Sequence, residues 1–177
     1  MSTARRAVVL VENDYECLEL WVPYWRLREL GLEVDLVGPA ESGRSYKSKE
    51  GYPCVTDATV AQALERRYEA IVVPGGVAPD RLRRYPDILK LVKQVHDSGG
   101  LVASICHGPS VLISAKILRG RRMTCVNAIK DDVINAGAEY LDAEVIVDGN
   151  LVTSRTPKDT AAFTREIVRF VERGRSA

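Results

Sequence analysis

Short apolar runs are the clearest pattern along this chain. Residues 7–11 (AVVLV), 70–74 (AIVVP) and 101–105 (LVASI) are apolar almost throughout, and residues 33–37 (EVDLV) add a fourth segment with strand character. A strand that is apolar on both faces is typical of the middle of a mostly parallel sheet that helices cover on both sides. The pattern therefore predicts such a sheet at the centre of the molecule.

Segments with helical spacing separate these strands. After Asp14, which can cap a helix, apolar residues recur at helical spacing as far as Gly31. The stretch from Gly38 to Gly51 is polar and is predicted to be a loop. Four further helices are predicted at 59–66, at 86–97, after Cys106 and at about 158–172, with a hairpin at 144–154. In the first helix the apolar positions are Leu18, Trp21, Val22, Trp25 and Leu30.

Alternating strands and helices of this kind predict an α/β fold, a three-layer sandwich around a mostly parallel sheet. The length of 177 residues suits one domain, which we place at residues 1–177. Ligand sites in such sheets form at the carboxyl ends of the strands. We therefore expect the loops after Val11, at Gly75-Gly76 and at Cys106 to meet.

Composition excludes several classes of function. The chain has 25 basic and 24 acidic residues, so a net charge of +1 gives no basis for binding nucleic acid or an anionic membrane. No apolar run approaches the roughly 20 residues that span a bilayer, and the N-terminal run is predicted to be a strand, not a signal peptide. The four cysteines form no C-x-x-C pair and support neither a zinc site nor a disulfide framework, which favours the cytoplasm.

The candidate chemistry lies at Cys106-His107-Gly108-Pro109, directly after a buried strand. A nucleophile at a strand-to-helix turn forms the elbow seen in G-x-S-x-G hydrolases. We expect the helix that follows to direct its positive end at the sulfur and to lower the pKa of the thiol. The amides of Gly76 and His107 are candidates for an oxyanion hole.

Carboxylates follow the first strand and are the nearest acidic groups in the predicted topology. Glu16 and Glu19 are three residues apart on one helix face, and one of them is expected to reach Cys106 and to move a proton. Simpler interpretations stay open. A free cysteine is often a small buried apolar residue, the glutamates can stabilise a helix N-terminus, and Gly75-Gly76 can be only a turn.

The sequence resembles the PfpI family of intracellular cysteine peptidase-like proteins, in the superfamily of the parkinsonism-linked stress protein, which shares its fold with class I glutamine amidotransferases. The matching stretches cover nearly the whole chain. They are YECLELWVPYWRLRELG, VVPGGVAPDRLR, VASICHGPSVLISAKILRGR, IKDDVINAGAEYLDAEVIVDGNLVTSRTP and the closing helix.

The resemblance implies a flavodoxin-like sandwich that assembles as a homodimer or homohexamer and needs no metal or cofactor. It implies that Cys106 is the nucleophile, that His107 is its neighbour in a triad, and that Asp80 of an adjacent subunit is the third member. Glu19 matches the glutamate that contacts the cysteine, with Glu16 as the neighbouring candidate. Glu16 and Gly75 are also candidates for contact with the substrate or for proton transfer. Close relatives have Tyr or His where this chain has Val126.

Three functional hypotheses follow. The first is a stress-protection enzyme in which Cys106 attacks a carbonyl of a reactive aldehyde or a glycated protein, with an oligomeric cysteine peptidase as the alternative. The second is a redox sensor or stress chaperone that acts through oxidation of Cys106. The third is a structural or partner-binding module with a vestigial site. The partners expected for the enzyme are a small aldehyde, a glycated protein or a peptide.

Overall fold

The strands form one large sheet and two small ones. The computed structural model describes residues 5–174. The strands are β1 (Arg6–Leu10), β2 (Glu33–Gly38), β3 (Ser45–Lys47), β4 (Pro53–Val55), β5 (Ala58–Thr59), β6 (Ala70–Val73), β7 (Leu101–Ile105), β8 (Arg122–Met123), β9 (Glu139–Tyr140), β10 (Val145–Asp148) and β11 (Leu151–Ser154). The large sheet has the order β10-β11-β7-β6-β1-β2-β5.

The large sheet is parallel except for one hairpin. Neighbouring strands run parallel throughout, with Val8 opposite Ile71 and Val72 opposite Ala103, while β10 and β11 pair antiparallel. Strands β6 and β7 are buried along their whole length, as continuous apolar runs predict. The predicted strands, the hairpin and the α/β sandwich around a mostly parallel sheet are confirmed.

Helices cover both faces of the sheet. The helices are α1 (Cys17–Glu29), α2 (Val60–Leu64), α3 (Ala78–Leu82), α4 (Pro86–Asp97), α5 (Pro109–Ser114), α6 (Lys130–Asn135) and α7 (Thr160–Arg173), with 3-10 turns at Asn127–Ile129 and Pro157–Asp159. Helix α1 packs against α7, and α4 packs against α2 and α5. Within the described part of the chain no helix is long and apolar enough to cross a membrane.

Helix α1 differs from the prediction in its start and in its buried face. Its N-cap is Glu16, whose side chain accepts a hydrogen bond from the amide of Glu19, and not Asp14. The buried residues of the helix include Leu20, Tyr24 and Leu27. Most of the apolar positions predicted from the helical spacing lie on the solvent-facing side of the helix. There Leu18, Val22 and Trp25 are exposed by 53%, 40% and 59%.

The polar stretch after Gly38 is also more ordered than predicted. Strand β3 lies inside it and pairs antiparallel with β4, so the segment forms a hairpin and not only a loop. The short helices α3 and α6 were not predicted, because neither is long enough to show a helical period. The helix after Cys106 ends at Ser114, so the buried Leu118 lies beyond it.

Candidate active site

Cys106 occupies a strained turn at the carboxyl end of β7. Its φ is +61°, a left-handed conformation that a residue with a Cβ adopts only when its surroundings enforce it. Two backbone hydrogen bonds hold this conformation. The Cys106 amide donates to the Ser154 carbonyl at 3.1 Å, and the Val126 amide donates to the Cys106 carbonyl at 3.2 Å. The strand-to-helix turn expected of a nucleophile elbow is therefore present, while the role of Cys106 as a nucleophile stays a prediction.

Groups of three residues surround the sulfur atom. The Sγ atom lies 3.5 Å from Nδ1 of His107, although adjacent residues at an elbow rarely direct their side chains at each other. The amides of Gly76 and His107 act on the sulfur to lower the pKa of the thiol, and the Glu19 carboxyl approaches the same place from α1, since Oε2 of Glu19, Cβ of Cys106 and the His107 amide all lie around Gly75. The structure thus brings together four of the residues singled out from the sequence.

Only glycine fits at position 75, because the groups around it lie too close to leave room for a side chain. A Cβ at this position would lie 2.5 Å from Oε2 of Glu19 and 2.6 Å from Cβ of Cys106. The missing side chain allows the Gly75 amide to donate to Oε2 of Glu19 at 2.8 Å. Gly76 has a φ of +79°, which glycine adopts without strain. The glycine pair therefore has a role beyond that of a turn.

The two candidate glutamates have different roles. Glu16 caps α1 through a 2.8 Å bond from the Glu19 amide to its Oε2, so it stabilises the helix N-terminus. Glu19 is fully buried, and its Oε1 atom lacks a conventional hydrogen-bond partner. Glu19 is therefore the carboxyl that reaches Cys106.

Burial changes the ionisation of both partners. It raises the pKa of Glu19 to about 8, with the charge of Glu16 as the second cause and the Gly75 amide opposing both. Burial, followed by the charge of Glu19, also raises the pKa of the Cys106 thiol to about 12, although the Gly76 and His107 amides act in the opposite direction. The expectation that the following helix lowers this pKa is wrong. Helix α5 has only six residues, and the desolvation of the sulfur by burial is the largest effect on the thiol.

Cys106 and Glu19 titrate as a pair because each group changes the pKa of the other. The first proton leaves the pair at about pH 8 and the second at about pH 12. The singly ionised pair has two arrangements, a thiol beside a carboxylate or a thiolate beside a carboxyl. The lower pKa belongs to Glu19, so the first arrangement predominates, and the two amides at the sulfur favour the smaller thiolate population.

The third member of the expected triad lies elsewhere in this chain. Asp80 is exposed on α3, and its amide donates to the Val77 carbonyl at 3.1 Å. Among residues 5–174 no carboxylate accepts a hydrogen bond from His107. Asp14, which also follows β1, forms an ion pair with Arg81 at 2.6 Å. Within residues 5–174, a single copy of the chain therefore brings a cysteine, a histidine and a buried carboxyl to this site, but no carboxylate that orients His107.

Sequence reasoning missed Tyr15, which connects the site to a neighbouring loop. Tyr15 is fully buried and forms isolated bridges with both Ser48 and Gly76. No motif marks it, since its place depends on a hairpin that the polar sequence did not predict. Its position just after the first strand was the available signal.

Comparison with known proteins places this site in a family. The sequence profile of the DJ-1/PfpI family matches residues 5–170. The chain belongs to the DJ-1/PfpI family. The resemblance inferred from the motifs around Cys106 is thus confirmed.

Relatives within the family carry two kinds of enzymatic name. Deglycase PH1704 of Pyrococcus horikoshii is 44% identical over 94% of this chain and 99% of its own length. The putative cysteine protease YraA of Bacillus subtilis is 36% identical over 96% of this chain and 99% of its own. A solved two-domain protein of Anabaena variabilis, with DJ-1/ThiJ/PfpI-like and ferritin-like domains, has a TM-score of 0.90 and 40% identity over 95% of this chain and 50% of that chain.

Proposed function

We propose that this protein is a cysteine-dependent enzyme of the deglycase or glyoxalase type, which acts on reactive aldehydes or glycated proteins through Cys106. The observation that carries the proposal is that Cys106 and Glu19 meet beside Gly75, which sets a candidate nucleophile next to a buried carboxyl with a pKa raised to about 8. The deglycase names of relatives at 41–44% identity support the substrate class.

In the proposed first step, sulfur attacks the aldehyde carbon of a 2-oxoaldehyde and forms a C–S bond. The carbonyl electrons move to oxygen, which the Gly76 and His107 amides stabilise and the Glu19 proton neutralises. The product is a hemithioacetal, and Glu19 is left as a carboxylate. The amides that favour the thiolate in the free protein are then available to the new oxygen.

The Glu19 carboxylate then removes the proton from the carbon bonded to sulfur and returns it to the neighbouring carbonyl carbon. In the same step the hydroxyl proton of the hemithioacetal passes to the neighbouring oxygen, which becomes the new hydroxyl. This isomerisation converts the hemithioacetal into a thioester of a 2-hydroxy acid, with no net gain or loss of electrons. Water cleaves the thioester, releases the 2-hydroxy acid and restores the Cys106–Glu19 pair with its proton. For methylglyoxal the product is lactate, and for a glycated amine the freed amine is a second product.

A panel assay tests the proposal. Wild type, Cys106→Ala and Cys17→Ala are compared on methylglyoxal, a methylglyoxal-modified peptide and a fluorogenic peptide. Cys17 is the other partly exposed thiol and serves as the matched control. We expect Cys106→Ala to lose turnover of the first two substrates while it keeps the circular dichroism of the folded protein, and Cys17→Ala to keep activity. Undiminished lactate formation by Cys106→Ala contradicts the proposal.

A peptidase that acts as an oligomer is the second candidate. The 3.5 Å contact between Cys106 Sγ and His107 Nδ1 favours it, together with the exposure of Asp80, which leaves that carboxylate free to complete a triad in a neighbouring copy. The exposed apolar residues of α1 (Leu18, Val22 and Trp25) support self-association. Asp80→Asn should then abolish peptide hydrolysis and leave aldehyde turnover unchanged. Equal peptide hydrolysis by wild type and Asp80→Asn contradicts the triad.

A further inference from the structure

The loop between β3 and β4, residues 48–52, lies beside the Cys106 site. Ser48, at its start, forms a parallel bridge with Tyr15, and Tyr15 forms an antiparallel bridge with Gly76. Gly76 supplies one of the two amides that face the Cys106 sulfur. The loop is therefore separated from the oxyanion donor by a single extended segment of backbone.

Hydrogen bonds hold this loop in one conformation. The Lys49 amide donates to the Tyr15 carbonyl at 3.0 Å, and the Tyr15 hydroxyl donates to the Tyr52 carbonyl at 2.8 Å. Inside the loop, Oγ of Ser48 accepts from the amides of Glu50 and Tyr52 at 3.1 and 3.0 Å. The exposed side chains of Lys49 and Glu50 are therefore carried on a fixed support at the rim of the site.

Lys49 brings positive charge to a site whose own charged groups are acidic. Within residues 5–174 its ammonium has no ion-pair partner closer than 4 Å. Its charge still reaches inward, because it lowers the pKa of Glu16 and of Glu19 against the larger effect of burial. Glu50, the next residue, has the opposite effect on Glu16.

We propose that Lys49 is a specificity-determining residue that favours electrophilic substrates bearing a carboxylate over neutral ones at Cys106. The nature of the natural substrate, a carbonyl compound with an acidic group, rests on the proposed function. The preference for a negatively charged electrophile concerns only its reaction with the Cys106 sulfur. It can therefore be measured from alkylation rates, without turnover of a substrate.

Two alkylating reagents of nearly the same shape provide the test. Iodoacetate carries a carboxylate and iodoacetamide does not, and both react with the thiolate of Cys106. The ratio of their rate constants therefore cancels any change in the ionisation of Cys106 or Glu19. Alkylation is followed by mass spectrometry of the Cys106 peptide, which separates it from Cys17.

We expect Lys49→Gln to lower the iodoacetate-to-iodoacetamide ratio by about three- to tenfold, the effect of one unit charge several ångströms from the reagent in a partly aqueous setting. Lys49→Arg should restore the wild-type ratio, and Glu50→Gln should raise it. The matched control is Lys90→Gln, which removes an exposed lysine from α4 and should leave the ratio unchanged. Raising the salt to about 1 M should lower the ratio in wild type but not in Lys49→Gln.

An unchanged ratio in Lys49→Gln overturns the proposal. If the ratio is unchanged because both rate constants fall equally, Lys49 acts on the ionisation of the thiol and not on the choice of electrophile. If the ratio falls as expected but wild type turns over no carbonyl substrate, the proposed function is contradicted while the charge selection at Cys106 stands.

Discussion

Replacing Glu19 by Gln should change how the stability of the protein depends on pH. Glu19 is fully buried, and its pKa rises from 4.5, its ordinary value, to about 8 on folding. At low pH the carboxyl is protonated in both the folded and the unfolded state, so its raised pKa costs the folded state nothing. The free energy of unfolding falls as the pH rises from the unfolded pKa towards the folded pKa, because only the unfolded state then releases the proton.

The magnitude follows from the size of the shift. Each pH unit between about 4.5 and 8 costs the wild type about 1.4 kcal/mol, so the loss between pH 5 and pH 8 is about 4 kcal/mol. Glu19→Gln keeps a carbonyl oxygen for the Gly75 amide but has no proton to lose. Its free energy of unfolding should lack this slope.

Urea unfolding at fixed protein concentration, followed by tryptophan fluorescence between pH 5 and pH 8, measures the difference. The two proteins should diverge steadily, with Glu19→Gln the more stable at pH 8 relative to its value at pH 5. Glu29→Gln, which removes an exposed carboxylate from the same helix, should run parallel to wild type. Parallel curves for wild type and Glu19→Gln refute the buried protonated carboxyl.

Three further predictions concern packing and assembly. Gly75→Ala should lower kcat/KM roughly a hundredfold in the aldehyde assay, because its Cβ collides with Glu19 and Cys106. Gly31→Ala, at a φ of +84° but with no atom within 4 Å of the added Cβ, should lose only about 1 kcal/mol in a urea titration and keep activity. Trp25→Glu should shift the sedimentation coefficient towards the monomer, and an unaltered assembly state excludes the exposed face of α1 as an interface. Thr59→Ala, which removes the capping box of α2, should cost about 1 kcal/mol by thermal unfolding, and a loss below about 0.3 kcal/mol contradicts that role.

Much of the fold was predictable because its signals are local. The continuous apolar runs of β6 and β7 and the helical period of α4 each depend on a few adjacent residues. The hairpin of β3 and β4 was not predictable, because it is stabilised by contacts with Tyr15 that are distant in sequence. The buried face of α1 was misjudged for a similar reason: Glu19 is buried by the site and Trp25 is exposed, which reverses the usual preference of both residue types.

The site was predictable in its members but not in its electrostatics. Cys106, His107 and Gly76 follow from the rule that strand ends meet at one edge of a parallel sheet. The pKa of the thiol did not follow, because the depth of burial of the sulfur and the length of α5 are properties of the folded chain. The structure also separates Glu16 from Glu19, which the sequence left as equivalent candidates.

The most direct test of the account is the pH dependence of Cys106 alkylation by iodoacetamide, in wild type and in Glu19→Gln. In wild type, the rate constant for the Cys106 peptide should rise with an apparent pKa of about 8, as the pair loses its first proton. In Glu19→Gln the midpoint should move above 9. Burial still opposes the thiolate, and the variant lacks the carboxylate that can accept the proton of the thiol. The same midpoint in both proteins would contradict the coupled titration of Cys106 and Glu19 on which the proposed chemistry depends.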